Sequence, residues 1–454
     1  MKPKNILKYL IVAFLAVYLL GACTNSTEAE KIFDETPAER LSAQKTELNN
    51  ALLSSEFGWK AVYFTDDSQL GGFTHLFKFG TNGKVQMASD FDSNTNSFES
   101  EYEVVLGSTV SVLFTTFNRI HLLSDSDNYP TAALRGKGYL GDFQFLYYGQ
   151  ENGDILFKSN RLVKDIRFVK ATAQDWIDLS KNLVTEENLV GGGDRPLFRL
   201  LEINDGSKIK KYSFGYNPAS RYSSSPSIEN GSSEVISMGV GYTPTGIVVS
   251  PALKVGTQSL TNFVYNDADA TFTATGTGGV TAVIKYSNTP LVLTDDYKLI
   301  LPGTGSKVYG YIYNLTKFEA ANSSLFLSLL NDSEEAAGAM LTRVQLWFNN
   351  ADGSNYIEYR FGDANGATIA RRYHYFTLTA DAVNKTVTFT PGVWKSSTAA
   401  AAPVIATPSF LKSLDDQFMS PQGLYFAKTP VSGYTAYTFT STTTPFRMVA
   451  YSFQ

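Results

Sequence analysis

Residue types able to do chemistry are few and scattered in this chain. It has one cysteine, Cys23, three histidines, His75, His121 and His374, and three adjacent aspartate pairs, Asp66-Asp67, Asp295-Asp296 and Asp415-Asp416. Cys23 directly follows Leu20-Gly21-Ala22, and upstream of it lie Lys2, Lys4 and Lys8 and the apolar run Tyr9 to Leu20. A basic start, a short apolar stretch and small residues before a cut site form a secretory signal peptide. The run falls short of the ~20 residues needed to span a bilayer. Leu-Gly-Ala-Cys also fits the bacterial lipobox, in which the cysteine takes diacylglycerol and its freed amine takes a fatty acyl group such as palmitate. The spacing therefore assigns Cys23 to lipidation and leaves no thiol for catalysis.

The other candidates have simpler readings. His75 alternates with Phe73, Phe77 and Phe79, which places it on the core face of a strand. His374, in Arg371-Arg372-Tyr373-His374-Tyr375, fits a strand with a polar face. His121 precedes Ser124-Asp125-Ser126-Asp127-Asn128 and is the most suggestive of the three. A catalytic zinc site wants three protein ligands at short spacing, however, and no His-Glu-x-x-His is present. Asp125, Asp127 and Asn128 resemble the opening of a calcium loop, but Tyr129-Pro130 follows and Gly136 stands where the closing Glu belongs, so a solvated turn is expected. Glycoside hydrolysis needs two carboxyls facing each other across a sugar, which adjacency in sequence does not provide. No Gly-x-Ser-x-Gly elbow occurs, and Gly191-Gly192-Gly193-Asp194 lacks the Lys-Ser or Lys-Thr of a phosphate loop. The residues call for no catalytic group, no metal and no cofactor. The aromatics Tyr139, Tyr147, Tyr148, Tyr216, Tyr222 and Trp347 remain, as faces on which sugars or partner proteins can stack.

The elements carrying these residues are mostly strands. Aromatics make up 13% of the chain and charged residues 18%, which favours sheets with polar faces over helical bundles. Loss of the leader removes three lysines and takes the formal charge from −5 to −8. An acidic chain lacks the basic stripe of a nucleic-acid binder. After the signal peptide, 1–22, and a lipidated polar tether, 23–35, Thr36-Pro37-Ala38-Glu39 opens a capped helix. That helix begins a β domain over 36–190. Its strands include Phe73 to Phe79 and Lys84 to Ala88, joined across Asn82-Gly83, and one from Arg119 to Leu123. A flexible break at Gly191 to Asp194 leads to a second β domain, 194–300, with a long loop from Asn217 to Glu234. A third β region, 301–454, either stands apart or forms one unit with 194–300, and Thr316-Lys317-Phe318-Glu319 opens a helix within it. The fold class expected is mainly β: antiparallel barrel- or sandwich-like domains with a few short helices, the N-terminal one packed on the first sheet. Phe77-Lys78-Phe79-Gly80-Thr81-Asn82-Gly83 and Tyr359-Arg360-Phe361-Gly362-Asp363-Ala364-Asn365-Gly366 each follow a helix and a strand, which suggests duplication of a β unit.

The lipobox, Gly58-Trp59 after a Leu-rich helix, the hairpin from Gly71-Gly72-Phe73 to Asn82-Gly83-Lys84, Ile120-His121-Leu122-Leu123-Ser124-Asp125 and Gly138-Tyr139-Leu140-Gly141-Asp142-Phe143 together carry a resemblance. The chain resembles the Bacteroidota lipoprotein family called domain of unknown function 4302, over most of the mature chain and more clearly up to Lys170. The resemblance implies an outer-membrane lipoprotein on the cell surface or periplasmic face, non-enzymatic, and an accessory binding protein of a nutrient-uptake system. Its implied partners are the membrane through the lipid, an outer-membrane transporter complex, and a glycan or peptide, with no nucleic acid. An assembly lipoprotein touching other envelope proteins and, further off, a hydrolase are the alternatives.

Overall fold

The structure, a computed structural model, describes residues 36–453 apart from 318, 320, 364, 432 and 433. Cys23, the signal peptide and the whole of the tether lie outside the described residues. The first helix, α1 (Pro37–Leu53), starts at the expected cap. Thr36 Oγ1 accepts from the Glu39 amide at 3.2 Å and the Glu39 carboxylate accepts from the Thr36 amide at 2.7 Å. One helix face, Leu48, Ala51 and Leu52, is buried in the core of the sheet that follows, and Trp59 Nε1 donates to the Leu52 carbonyl.

That sheet is a closed barrel of eight sequential strands: β1 (Trp59–Phe64), β2 (Gly72–Phe79), β3 (Lys84–Ser89), β4 (Phe98–Leu106), β5 (Val110–Phe114), β6 (Gln144–Glu151), β7 (Asp154–Ser159) and β8 (Asp165–Lys170). Inward positions alternate along each strand, and the interior is filled by rings. Phe77 stacks on Phe168 at 4.7 Å and on Phe114 at 5.3 Å. The stretch Arg119–Ser124 is not the strand its apolar residues suggest but a 3-10 turn. Asn118 caps it, taking the Arg119 amide on its side chain, and this local bonding competes with the sheet ladder.

Two short helices, α2 (Ala173–Asp178) and α3 (Lys181–Val190), lead to the second sheet. Its strands are β9 (Phe198–Asp205), β10 (Ile209–Ser213), β11 (Gly215–Asn217), β12 (Tyr222–Pro226), β13 (Val235–Thr243), β14 (Gly246–Val255), β15 (Gln258–Asn266), β16 (Thr271–Thr275) and β17 (Val280–Ser287). β17 pairs back to β9, and an antiparallel bridge between Tyr212 and Ser227 links the β10 side to the end of β12, so this sheet nearly closes as well. The stretch Asn217 to Glu234, expected as a loop, contains β12, whose serines bury Ser223 and Ser225 against each other.

The third unit contains β18 (Lys307–Ile312), α4 (Tyr313–Thr316), α5 (Ser324–Ala337), β19 (Met340–Phe348), β20 (Asn355–Gly362), β21 (Thr368–Asp381), β22 (Thr386–Lys395), β23 (Val404–Ile405), α6 (Lys412–Phe418), β24 (Leu424–Val431), β25 (Tyr434–Ser441) and β26 (Arg447–Phe453). β22 pairs with both β21 and β24, and β26 pairs with β18, which closes a second ring of eight strands with β23 as a spur. α5 and α6 send Phe326, Leu330, Leu414 and Phe418 into its core. Thr316 does not open a helix but ends α4, with its hydroxyl bonded to the Ile312 amide and carbonyl. Ser323 caps α5 instead. The glycine-rich break is not a loose linker either, because the Gly193 carbonyl accepts from the Ser324 amide at 2.9 Å.

The first two barrels meet backbone to backbone. A Cβ at Gly71 would lie 2.3 Å from the Arg221 carbonyl oxygen, and one at Gly239 would lie 2.4 Å from that of Leu70. Only glycine permits such approach. Here Arg221 enters a buried site between them. Its Nη1 donates to Asp90 Oδ1 at 2.9 Å and to the Gly72 carbonyl at 3.1 Å. Its guanidinium lies 4.2 Å from the Phe73 ring centre and 4.4 Å from that of Tyr242. Asp90 takes further bonds from the Thr74 amide and from Asn182 Nδ2. Removing one partner of such a pair strands a buried charge at a cost of about 3–5 kcal/mol. Arg221→Met is therefore expected to lose about that much in urea denaturation at pH 7, and Arg221→Met with Asp90→Asn to lose less than the sum of the two single changes. Simple additivity would show that the pair is not what joins the barrels.

Candidate functional site

Beside this junction opens a cleft of about 520 Å³, within the range of small-ligand sites. One wall is Phe91, Asp92 and Ser93, just after β3; Pro218 supplies another, and α3 supplies Leu183, Glu186, Glu187 and Val190. Helical spacing explains the α3 contribution. Asn182, Thr185 and Leu189 occupy its buried face, which turns 183, 186, 187 and 190 toward the cleft. Asn182 and Thr185 fix the helix by donating to the carbonyls of Tyr242 and Thr243.

Glu186 is the titratable group of the cleft. Its carboxylate lies 4.0 Å from Arg221 Nη2. Burial raises its pKa above the ordinary Glu value, with Arg221 opposing and Asp90 adding to the rise. Tyr216 and Tyr242 share a hydroxyl hydrogen bond nearby. Tyr139 stands edge-on to Phe73 and Phe91 at 5.3 and 5.1 Å. At the rim, Arg119 bonds Asp92 at 2.6 Å; burial works against the Asp92 charge, and this bond holds its pKa below the usual value. The arrangement interleaves apolar side chains, Phe91, Leu183 and Val190, with carboxyl groups on the same walls, Asp92, Glu186 and Glu187, that accept hydrogen bonds from hydroxyls or amines.

The histidines do not converge on this cleft. His75 is buried inside the first barrel, stacked on Phe77, and burial brings its pKa down to about 4. In His121, Nδ1 accepts from the Asn118 amide and Nε2 lies 3.2 Å from the Phe114 carbonyl, which fixes the Nε2–H tautomer. Both nitrogens are thus used in holding the 3-10 turn. His374 is not on a polar face but inside the third barrel, stacked on Trp394 at 4.4 Å, where Nδ1 and the Tyr359 hydroxyl both meet Asp415. Asp125 accepts from the Asp127 amide in a local turn. Each aspartate pair is held by its own neighbours. Asp67 bonds Lys164 and Ser250 across the junction, Asp295 bonds Lys298 and Lys385, and Asp416 bonds Lys412. No group of three or more His, Cys, Asp or Glu able to hold a metal occurs among the described residues.

The aromatic candidates divide. Tyr139 and Tyr216 adjoin the cleft. Tyr147 is buried and bonds Glu47 of α1, Tyr148 is exposed under Lys158, Tyr222 is half-buried on β12, and Trp347 stacks on Tyr356 of the third barrel. The cleft's own residues, Glu186 and Phe91, carry no sequence signal, because they lie 95 residues apart in the chain and only the fold brings them together.

These features define a mainly antiparallel β protein of sequential barrels with a cleft at the first junction. Residues 29–267 match the family described as Domain of unknown function (DUF4302), and the chain belongs to that family. The match covers just over half of the chain, from before α1 to the end of β15. No curated protein matches. Among solved structures, the crystal structure of the DNA polymerase sliding clamp from Bacillus subtilis aligns over 92% of this chain and 97% of its own, at 9% identity and a TM-score of 0.18, too low to indicate a common fold. No helix among the described residues is long and apolar enough to cross a membrane.

Since the Glu186 pKa is raised in the folded state, the protonated carboxyl is the favourable form. Its contribution is complete below the unfolded pKa and is lost as pH rises through the folded one. Glu186→Gln is therefore expected to raise the melting temperature at pH 8 in calorimetry, with the gain over wild type shrinking toward pH 4. A gain independent of pH would assign the effect to something other than this charge.

Proposed function

We propose that this chain is a lipid-anchored accessory binding protein of an outer-membrane nutrient-uptake system, acting by binding rather than catalysis. Cys23 carries the acyl chains, and the cleft beside α3 receives the ligand. Several acyl chains at ~0.8 kcal/mol per buried methylene hold a protein stably on a membrane surface. The anchor keeps the first barrel at the membrane surface, where it meets a transporter partner of the Bacteroidota envelope.

The observation that carries this reading is the cleft itself. It lies within the family-matched residues, has a ligand-sized volume, and combines apolar walls with Glu186 and Glu187. A glycan or peptide with an apolar face and outward donors has the complementary chemistry.

Two measurements test the proposal. Cys23→Ser is expected to abolish incorporation of labelled palmitate and to move the protein out of the membrane fraction; continued membrane association would count against the anchor. A thermal-shift screen of the full chain in detergent against neutral glycans and peptides is expected to find a stabilising class. Leu183→Trp, which fills the cleft, is expected to weaken that ligand at least tenfold. If no class stabilises the protein, or if the filled variant binds equally well, the cleft is not the site.

A further inference from the structure

The outer face of the third barrel carries an ordered array outside the family-matched residues. Side chains alternate along strands, and β19, β20 and β21 are paired so that their outward residues align in rows. The first row is Trp347, Tyr356 and Tyr375, with Trp347 stacked on Tyr356 at 5.7 Å and Tyr375 5.3 Å from it. Gln345, Glu358 and Tyr373 form the second row, and Arg343, Arg360 and Arg371 the third.

Fold stability does not account for the arginine row. Like charges on directly opposed strand positions are destabilising, and only one carboxylate is set against the three guanidiniums. Glu358 Oε1 takes Arg360 Nε and Nη2 at 3.1 and 2.9 Å, and Arg371 Nε lies 3.5 Å away. Arg343 has no hydrogen-bond partner among the described residues, and the Arg371 side chain is 44% exposed. The array therefore holds a local surplus of positive charge on a chain whose formal charge is −5. The middle row, Gln345, Glu358 and Tyr373, is buried, so a ligand meets Trp347 and Tyr375 on one side of it and the arginines on the other.

The strands limit what can bind. β19, β20 and β21 are each paired on both sides within the closed ring, so no free edge is present for a peptide to add a strand. Recognition must use side-chain faces: aromatic planes at one end and guanidinium forks at the other, four residues apart along β19, or ~13 Å. That span exceeds a single sugar ring.

We propose that this array binds an acidic oligosaccharide of the uronic-acid class. Arg343 and Arg371 take a carboxylate, as guanidinium forks do, and Glu358 holds Arg360 between them as a positioning residue. A sugar ring lies on the partly exposed faces of Trp347 and Tyr375. This site is separate from the cleft and stands whether or not the cleft binds a nutrient.

The test is titration of the full chain in detergent with tetragalacturonate, its methyl-esterified form and a poly-glutamate peptide, followed by calorimetry and tryptophan fluorescence. Tetragalacturonate is expected to bind, to weaken as salt rises, and to lose at least tenfold with Arg343→Gln but far less with Arg343→Lys. The esterified form and the peptide are expected to bind at least tenfold more weakly, and Leu183→Trp at the cleft to leave the affinity unchanged. Absence of binding, equal binding of the esterified form or of the peptide, or full affinity in Arg343→Gln with the fold intact by circular dichroism would each overturn the assignment.

Discussion

The geometry around the first junction depends on one buried carboxylate. Asp90 has no exposed surface, and it receives bonds from Thr74 in β2, Asn182 in α3 and Arg221 ahead of β12. Removing two charges from water costs several kcal/mol for each, so the pair persists only because its bonding capacity is filled. Arg221 also adopts a left-handed backbone, φ 50°, an uncommon conformation for a side-chain-bearing residue. Every wall of the cleft lies close in sequence to this network. Phe91 directly follows Asp90, Pro218 precedes Arg221 by three residues, and Glu186 follows Asn182 by one helical turn. The cleft is thus shaped by the same interaction that locks the barrels together.

The third barrel has the strand order of the first with a different starting strand. In both, a helix is followed by a strand and then by a hairpin with an Asn-Gly turn: α1, β1 and β2–β3 in one, α5, β19 and β20–β21 in the other. The first ring closes when β8 returns to β1. In the third barrel the strand that fills this place, β18, comes before the helix and pairs with both β19 and β26. An antiparallel ring has no intrinsic first strand, so a change of starting point preserves every pairing. The two similar segments, Phe77 to Gly83 and Tyr359 to Gly366, consequently occupy equivalent hairpins.

Local signals made much of the fold legible in the sequence. The capping box at Thr36, the turn at Asn82-Gly83 and the alternation around His75 each rest on residues within a few positions of one another. Where a local pattern and the structure differ, a competing interaction decides the outcome. Arg119 to Leu123 is apolar enough for a strand, but Asn118 and His121 bond the backbone into a 3-10 turn. Thr316 and Glu319 have capping-box spacing, but the Thr316 hydroxyl bonds backward to Ile312. The candidate sites were less legible because they are made of distant pairs. Asp90 and Arg221 are 131 residues apart, and the arginine row takes one residue from each of three strands, so that only the register reveals it. In the sequence His374 fits the solvent side of a strand, because its partner Asp415 enters from a helix 41 residues later.

Filled interiors determine where binding can occur in this chain. An eight-stranded barrel is just wide enough for side chains to fill it, and here they do: Phe77, Phe114, Phe145, Phe157 and Phe168 occupy the first, while Tyr359, Phe376, Phe389, Trp394 and Phe439 occupy the third. Helices add further side chains, and Asp415 secures α6 there by accepting from Tyr359 and His374. With the interiors occupied by rings, recognition falls to surfaces that the rings position from behind. Strand alternation makes this direct. Ile357 and Tyr359 anchor β20 to the core, and the residues beside them, Tyr356, Glu358 and Arg360, are thereby held in rows on the opposite face. A close-packed interior transmits little freedom to its strands, so the outer rows are preorganised by the aromatic content that marks the composition of the whole chain.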